Sequence, residues 1–219
     1  AIPPVHRTKS GVRDYTEEDC GWVDLVKCMR GAGLSVEVMA EYVRLRVKHS
    51  RIHKVPEDMD LKSAVLIEPY GCAKHCVDRA QISSEDVVVL AGAGTLGLGM
   101  TTYAASRNPA SLIVLDMVDF RLEKAKEFGA DIVMNPGKED VVSKVLEMTD
   151  GYGCDIYIEA TGAPASVRQG MQMIRKLGRF VEFSVFGQET SLDWSIIGDK
   201  KELDVLGSHI SPYCYPYVI

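Results

Sequence analysis

The sequence predicts an α/β fold, a doubly wound parallel sheet with helices on both faces. Two observations predict it. From Asp86 onward, six short apolar runs alternate with helical patterns, and the first three runs are almost continuously apolar. Strands buried on both faces carry such continuous runs, because helices cover both sides of a parallel sheet. In addition, a glycine-rich segment directly follows the first run and opens the first helical pattern, which is a common beginning of doubly wound domains.

The six runs are predicted as strands. They are Asp86–Leu90, Ser111–Asp116, Asp131–Met134, Cys154–Glu159, Arg179–Phe186 and Glu202–Ile210. The segments Thr95–Asn108, Asp119–Ala130, Lys138–Gly151 and Pro164–Gly178 between them are predicted as helices. The last of these helices opens with proline in its first turn and is expected to end at Gly178, the usual asymmetry of helix ends. The connection before Glu202 is the least regular.

The first 80 residues have a different pattern. Met39–Val47 is predicted as a strand, and His53–Pro69 as a turn followed by a short helix. Before Met39 the charge is mixed and the apolar periodicity is weak, so the sequence does not place residues 1–38.

Composition narrows the classes of partner and compartment. The 219 residues carry a net charge of -6, which argues against a nucleic-acid or acidic-membrane partner. No apolar run reaches the roughly 18 residues of a membrane span, and the first ten residues lack the apolar core of a signal peptide. The six cysteines have no C-x-x-C spacing, so free thiols are favoured over a disulfide framework. A soluble, cytoplasmic protein is expected.

The segment Gly92-Ala93-Gly94-Thr95-Leu96-Gly97 has the G-x-G-x-x-G spacing of a dinucleotide-binding loop. In such a loop the first glycine permits the tight turn, the second lets the backbone approach the pyrophosphate, and the third lets the helix pack on the strand. The amides around Thr95 and Leu96 would face the phosphates at the positive end of the helix dipole. The alternative is a glycine-rich packing turn that binds no ligand, because glycines are common in turns for backbone reasons alone.

Asp116, 19 residues after Gly97 and at the end of the second predicted strand, supports the dinucleotide interpretation. A carboxylate there would accept hydrogen bonds from both adenosine ribose hydroxyls and would repel a 2′-phosphate. The predicted cofactor is therefore NAD rather than NADP.

These residues also carry a resemblance to a known family. The matching segments are "AEYVRLRV", "VPEDMDLKSAVLIEPYGCAKHCVDRA", "DVVVLAGAGTLGLGM", "VLDMVDFRLEKAKEFGAD", "CDIYIEATG" and "GRFVEFSVFG". They resemble the zinc-containing medium-chain dehydrogenases, nearest to the sorbitol, threonine and polyol branch with its erythritol- and threitol-type enzymes. The resemblance begins at about Met39 and is strongest over Glu68–Phe186.

The resemblance implies a domain division and several residue roles. Residues 1–80 would be a partial, mostly β catalytic-domain segment, 81–210 an NAD-binding Rossmann domain, and 211–219 the start of a return to the catalytic domain. Glu68 matches the glutamate beside the catalytic zinc, and Arg121 the basic residue flanking the adenosine ribose. Ala160, Thr161, Val185 and Gly187 match positions that line the nicotinamide side. An ordinary charged residue before a proline is the alternative for Glu68.

The main zinc ligands that the resemblance implies are missing. The resemblance implies that these ligands are an upstream cysteine and a His-Glu pair, but none of the five histidines is followed by glutamate. The four closely spaced cysteines of a structural zinc lobe do not occur either. Cys72, His75 and Cys76 would share one helix face and could hold a metal in principle, but buried thiols are the favoured interpretation. His209, near the end of the sixth predicted strand, could approach the nicotinamide edge or be an ordinary core or rim histidine. The catalytic residues are unknown.

The leading hypothesis is an NAD-dependent oxidoreductase, or its cofactor-binding portion, that acts on a polyol or secondary alcohol with zinc in the full-length parent. Either the sequence is a piece of that enzyme or it is a natural truncation. The alternative is a non-catalytic dinucleotide-binding module. By resemblance, a homo-oligomer, dimer or tetramer, is expected, with a small-molecule polyol or alcohol as substrate and without membrane or nucleic-acid partners.

Overall fold

The computed structural model describes residues 55–211 and 213–219. It also describes five isolated earlier positions, which are Lys27, Arg30, Gly31, Ser35 and Glu37. The chain divides into two compact units, residues 1–54 and residues 55–219. The strand predicted at Met39–Val47 lies outside the described residues, and the predicted domain boundaries at residues 80 and 210 stay predictions.

Residues 55–219 contain one sheet of six parallel strands in the order β3-β2-β1-β4-β5-β6. The strands are β1 (Val87–Ala91), β2 (Ser111–Leu115), β3 (Ile132–Met134), β4 (Cys154–Glu159), β5 (Ile174–Glu182) and β6 (Asp204–Gly207). The strand order reverses between β1 and β4, as it does in doubly wound nucleotide-binding domains. The predicted parallel α/β fold is therefore confirmed.

Six α-helices accompany the sheet within residues 55–219. They are α1 (Leu61–Ala64), α2 (Ile67–Ala80), α3 (Thr95–Ala105), α4 (Asp119–Glu127), α5 (Val141–Met148) and α6 (Pro164–Met173). The turn and short helix predicted before Pro69 are present, and α2 continues well beyond that point. No helix among these is both long and apolar enough to cross a bilayer.

Alternate residues of the strands enter two separate apolar cores. Val88 and Leu90 of β1 lie in one core, together with residues of α2 and α3. Val89 lies in the other core, together with residues of α5 and α6, where Tyr157 and Phe180 stack with ring centroids 5.4 Å apart. Because both faces of the central strands are buried, their sequences are continuously apolar rather than alternating.

The predicted boundary between α6 and β5 is wrong. The helix ends at Met173, and Ile174 already has the extended angles φ -70° and ψ 137°. A contact distant in sequence accompanies this early end. The Lys201 ammonium donates hydrogen bonds to the backbone oxygens of Met171 and Gln172, at 2.7 and 3.0 Å, and to that of Ile174 at 2.5 Å. These bonds satisfy carbonyls that a continuing helix would have used, and the positive charge complements the negative end of the helix dipole.

The outer ends of the last two strands are also shorter than predicted. β5 ends at Glu182 rather than Phe186, and β6 spans only Asp204–Gly207. The ladder between β5 and β6 ends at the pair Glu182 and Gly207, so the residues after both strands leave the sheet.

Replacing Lys201 by methionine is expected to lower the free energy of unfolding by about 1–3 kcal/mol, because the partly buried Met171 and Ile174 carbonyl groups lose their donor. Urea unfolding followed by circular dichroism would measure the change. Lys200→Met is the matched control, since the Lys200 ammonium pairs with Asp193 and both side chains are more than half exposed. Equal stability of the two variants would show that the Lys201 bonds do not hold the helix end.

Candidate dinucleotide-binding site

A cavity of about 460 Å³ lies at the carboxyl ends of β1, β2 and β4. Its position coincides with the reversal of strand order, where open α/β sheets bind their ligands. The predicted site residues that line it are Gly92, Gly94, Asp116, Arg121, Ala160 and Thr161. This first cavity therefore brings together residues from three separate segments of the predicted site.

The three glycines of the loop have different surroundings. Gly92 has φ +105°, and a Cβ there would lie 2.7 Å from the Ala160 carbonyl oxygen. A Cβ at Gly97 would lie 2.0 Å from the Gly92 oxygen, so α3 approaches the end of β1 too closely for any side chain. Around Gly94, in contrast, no heavy atom of the described residues lies within 4 Å of the Cβ position, apart from Gly94 and its two chain neighbours. The space above Gly94 is open toward the cavity, as close approach of a pyrophosphate requires.

Helix α3 begins at Thr95 with Gly94 as its N-cap, and no side chain caps it. By helix geometry the amides of its first turn, including Thr95 and Leu96, have no intrahelical acceptor. Together with the helix dipole, these amides could bind an anion beside Gly94.

Asp116 directly follows β2, lines the first cavity and is only 8% exposed. Its Oδ2 accepts a hydrogen bond from the Ala93 amide at 2.8 Å, and its Oδ1 accepts one from the Val118 amide at 2.8 Å. The Arg121 guanidinium lies 3.7 Å from Oδ2 and is half exposed. Since a carboxylate has about four acceptor positions, both oxygens keep capacity for further donors. The sequence pattern predicted Asp116 and the family resemblance implied Arg121, but neither indicated the two amides that fix the carboxylate.

A second cavity of about 320 Å³ shares Ala160 and Thr161 with the first. Its other lining residues are Cys72, Leu96, Phe183, Ser184, Val185, Ser208, His209 and Ile210. The predicted nicotinamide-side residue Val185 therefore lines this cavity, as does His209, whose role the sequence left open. Gly187 lines neither of the two cavities.

Sequence reasoning also missed Glu159, which ends β4 and is fully buried. Its carboxylate accepts hydrogen bonds from the Thr161 amide at 2.9 Å, from the Thr161 hydroxyl, and from the Gly162 amide at 3.2 Å. The available signal was a charged residue that closes an otherwise apolar strand, since charged side chains are rarely buried without partners.

The described residues do not form a zinc site. Glu68 lies in the first turn of α2, where its Oε1 accepts a hydrogen bond from the Cys72 thiol at 3.0 Å. Within the part of the chain that the structure describes, no group of three or more His, Cys, Asp or Glu residues is placed to hold a metal ion. A zinc-ligand or zinc-neighbour role for Glu68 stays a prediction.

Cys72 and Cys76 are buried free thiols on α2. Burial raises the pKa of Cys72 to about 11, with the hydrogen-bonded Glu68 carboxylate adding to the effect, and raises that of Cys76 to about 12. This environment agrees with the buried-thiol interpretation and keeps both groups protonated near neutral pH, whereas a metal ligand would be a thiolate.

We expect Cys72 to react slowly with iodoacetamide at pH 8. Raising a thiol pKa from 9.0 to about 11 lowers the thiolate fraction about a hundredfold at that pH, and reactivity should rise only as pH approaches 11. Peptide mass spectrometry after timed labelling measures the rate, with the chain in 8 M urea (about the concentration that unfolds most domains) as the control. Native labelling at the unfolded rate would contradict the burial.

Two family models match parts of the chain. One, described as zinc-binding dehydrogenase, matches residues 95–219, more than half of the sequence. A second model, described as MerR HTH family regulatory protein, matches residues 1–45.

Individual relatives agree with the first match. An erythritol/L-threitol dehydrogenase from Mycolicibacterium smegmatis is 48% identical over 168 residues, which are 77% of this chain and 46% of that protein. A crystal structure from Clostridium scindens, described as a zinc-binding dehydrogenase, superposes with a TM-score of 0.70 at 30% identity, covering 77% of this chain and 48% of the other. An alcohol dehydrogenase from Escherichia coli CFT073 in complex with NADH gives 0.69 at 28% identity, covering 76% and 49%. The chain thus spans about half the length of these relatives.

Proposed function

We propose that residues 55–219 are the NAD-binding part of an alcohol or polyol dehydrogenase. This chain belongs to the zinc-binding dehydrogenase family, whose model matches residues 95–219. The observation that carries the proposal is the first cavity, where the open Gly94 backbone and the buried Asp116 carboxylate face one space at the reversal of strand order. A packing turn that binds no ligand would explain neither the open space beside Gly94 nor the buried carboxylate of Asp116 at the same cavity.

Each end of this cavity suits one part of the cofactor. The first-turn amides of α3 would hold the pyrophosphate above Gly94, and the Asp116 oxygens would accept from the adenosine ribose hydroxyls. The second cavity, which shares Ala160 and Thr161 with the first, would receive the nicotinamide end. Bound NAD would supply the hydride acceptor for oxidation of the alcohol carbon.

The preference for NAD over NADP follows from charge and space. Asp116 is fixed by two backbone amides, so the carboxylate cannot turn away from a 2′-phosphate, which it would repel. The half-exposed Arg121 guanidinium could offset part of this repulsion. It is already paired with the Asp116 carboxylate, however, at 3.7 Å from Oδ2.

The experiment that tests the proposal is a titration of the purified chain with NAD, NADP and AMP, monitored by calorimetry. We expect NAD and AMP to bind and NADP to bind at least about tenfold more weakly than NAD. Absence of NAD binding would refute the proposal. Assays with zinc and a panel of polyols, including erythritol and threitol, then separate two possibilities. Turnover proportional to protein concentration identifies an enzyme, whereas tight binding without turnover identifies a dinucleotide-binding module.

A polyol substrate is favoured by the 48% identity to an erythritol/L-threitol dehydrogenase. That the parent protein is a homo-oligomer in the cytoplasm, and that zinc assists it through ligands outside the described residues, are further parts of the proposal. They rest on the family resemblance.

A second candidate function, DNA binding, concerns residues 1–45. The match of this segment to the MerR HTH family regulatory protein model favours it, against the expectation drawn from the net charge of -6. Fluorescence anisotropy of the whole chain with labelled duplex DNA, at low and at physiological salt, would test it. Affinity that falls steeply with salt is expected for a DNA-binding segment, and no anisotropy change at low salt would dismiss the candidate.

A further inference from the structure

Glu159 has the most completely buried carboxylate near the two cavities. None of its surface is exposed, although a charged side chain is rarely buried fully unless it is paired or hydrogen-bonded. Its two oxygens accept three hydrogen bonds, and all three come from Thr161 and Gly162, the residues just after β4. The carboxylate therefore fixes the turn that follows its own strand.

The backbone carbonyl of Glu159 holds a second segment. It accepts a hydrogen bond from the Phe183 amide at 3.1 Å and one from the Ser184 hydroxyl at 3.2 Å. The two segments also touch directly, since Gly162 has φ +71° and a Cβ there would lie 2.7 Å from the Val185 oxygen. Glu159 thus ties the turn after β4 to the segment after β5.

Both tied segments line the second cavity, through Thr161 on one side and Phe183, Ser184 and Val185 on the other. Glu159 lines neither cavity. Any effect of this residue on a ligand must therefore act through the segments that it holds.

We propose that Glu159 is a positioning residue that sets the spacing of the nicotinamide-binding walls. The inference rests on the proposed NAD-binding function. A carboxylate suits the task because three donors converge on it and an ionised carboxylate can only accept. Glutamine has nearly the same shape but would turn an NH2 group toward one of those donors, so the turn could not keep its present position.

The test is Glu159→Gln in the full chain, with calorimetric titrations of NAD and AMP. We expect the Kd for NAD to rise about tenfold, as one lost hydrogen bond of ordinary strength would cause, and the Kd for AMP to stay within about twofold. AMP is expected to occupy only the adenosine end of the first cavity, near Asp116, whereas NAD also needs the second cavity.

Asp155→Asn is the matched control. Asp155 lies near the opposite end of β4, and its carboxylate likewise accepts from a backbone amide, that of Val87 at 2.7 Å, and from a side chain, Arg175 at 2.5 Å. This variant should lose stability like Glu159→Gln, yet leave the ratio of the NAD and AMP dissociation constants unchanged.

The outcomes separate this inference from the function on which it rests. If the unsubstituted chain binds neither nucleotide, the proposed function fails and takes the inference with it. If it binds both, an equal loss of NAD and AMP affinity in Glu159→Gln, or no loss at all, overturns the positioning role alone. Should Glu159→Gln not fold, Thr161→Val removes the hydroxyl that donates to the carboxylate and accepts from the Ala163 amide at 3.0 Å. That variant must raise the NAD dissociation constant selectively, and an unchanged ratio overturns the inference.

Discussion

Gly94→Val is expected to abolish NAD binding while the chain keeps its fold. Gly94 has φ -71°, which valine can adopt, and beyond its two chain neighbours no heavy atom in the described part of the chain lies within 4 Å of its Cβ position. The branched side chain would instead fill the space into which the pyrophosphate must come. We expect the loss to exceed about 3 kcal/mol of binding free energy, more than a hundredfold in Kd.

The measurement is a calorimetric titration with NAD, accompanied by a thermal melt. Gly198→Val is the matched control, because its Cβ position is equally open and it lines neither nucleotide cavity. Gly97→Ala provides the contrast, since its methyl group would overlap the Gly92 oxygen and should lower the melting temperature itself. NAD binding by Gly94→Val with unchanged Kd would show that the loop holds no phosphate.

Asp116→Ala should weaken NAD binding by about 1.5–3 kcal/mol, because charge-assisted hydrogen bonds to the ribose are lost. A loss of stability of similar size is expected as well, since the amides of Ala93 and Val118 lose their acceptor. Removing the negative charge should also narrow the difference between the affinities for NAD and NADP.

Titrations with both cofactors measure these effects, and Asp119→Ala serves as the control. Asp119 is an exposed carboxylate at the start of α4, bound to Asn135 and Lys138, and lines neither cavity. Its removal should leave both affinities within about twofold. If Asp116→Ala kept the NAD affinity of the unsubstituted chain, the assignment of the ribose to this carboxylate would be wrong.

The strands and the loop could be predicted because their causes are local. Both faces of β1 and β4 are buried, so nearly every residue there must be apolar, and the run itself marks the strand. At Gly92 and Gly97 a Cβ would meet backbone oxygens, Gly94 lies beside the open space of the first cavity, and Asp116 follows directly on β2. Such requirements restrict the residue types at fixed spacings, and this restriction can be recognised in the sequence alone.

The sequence by itself thus determined the parallel α/β fold, the glycine loop and the acid that faces it. Only the tertiary structure decided that α6 ends at Met173, that Ala93 and Val118 fix Asp116, and that Glu159 joins two cavity walls. In the first case the partner, Lys201, is 27 residues or more away along the chain, and in the others the donors are mostly backbone amides. Every residue type except proline carries a backbone amide, so the pattern of side chains does not indicate which amide will donate to a given carboxylate.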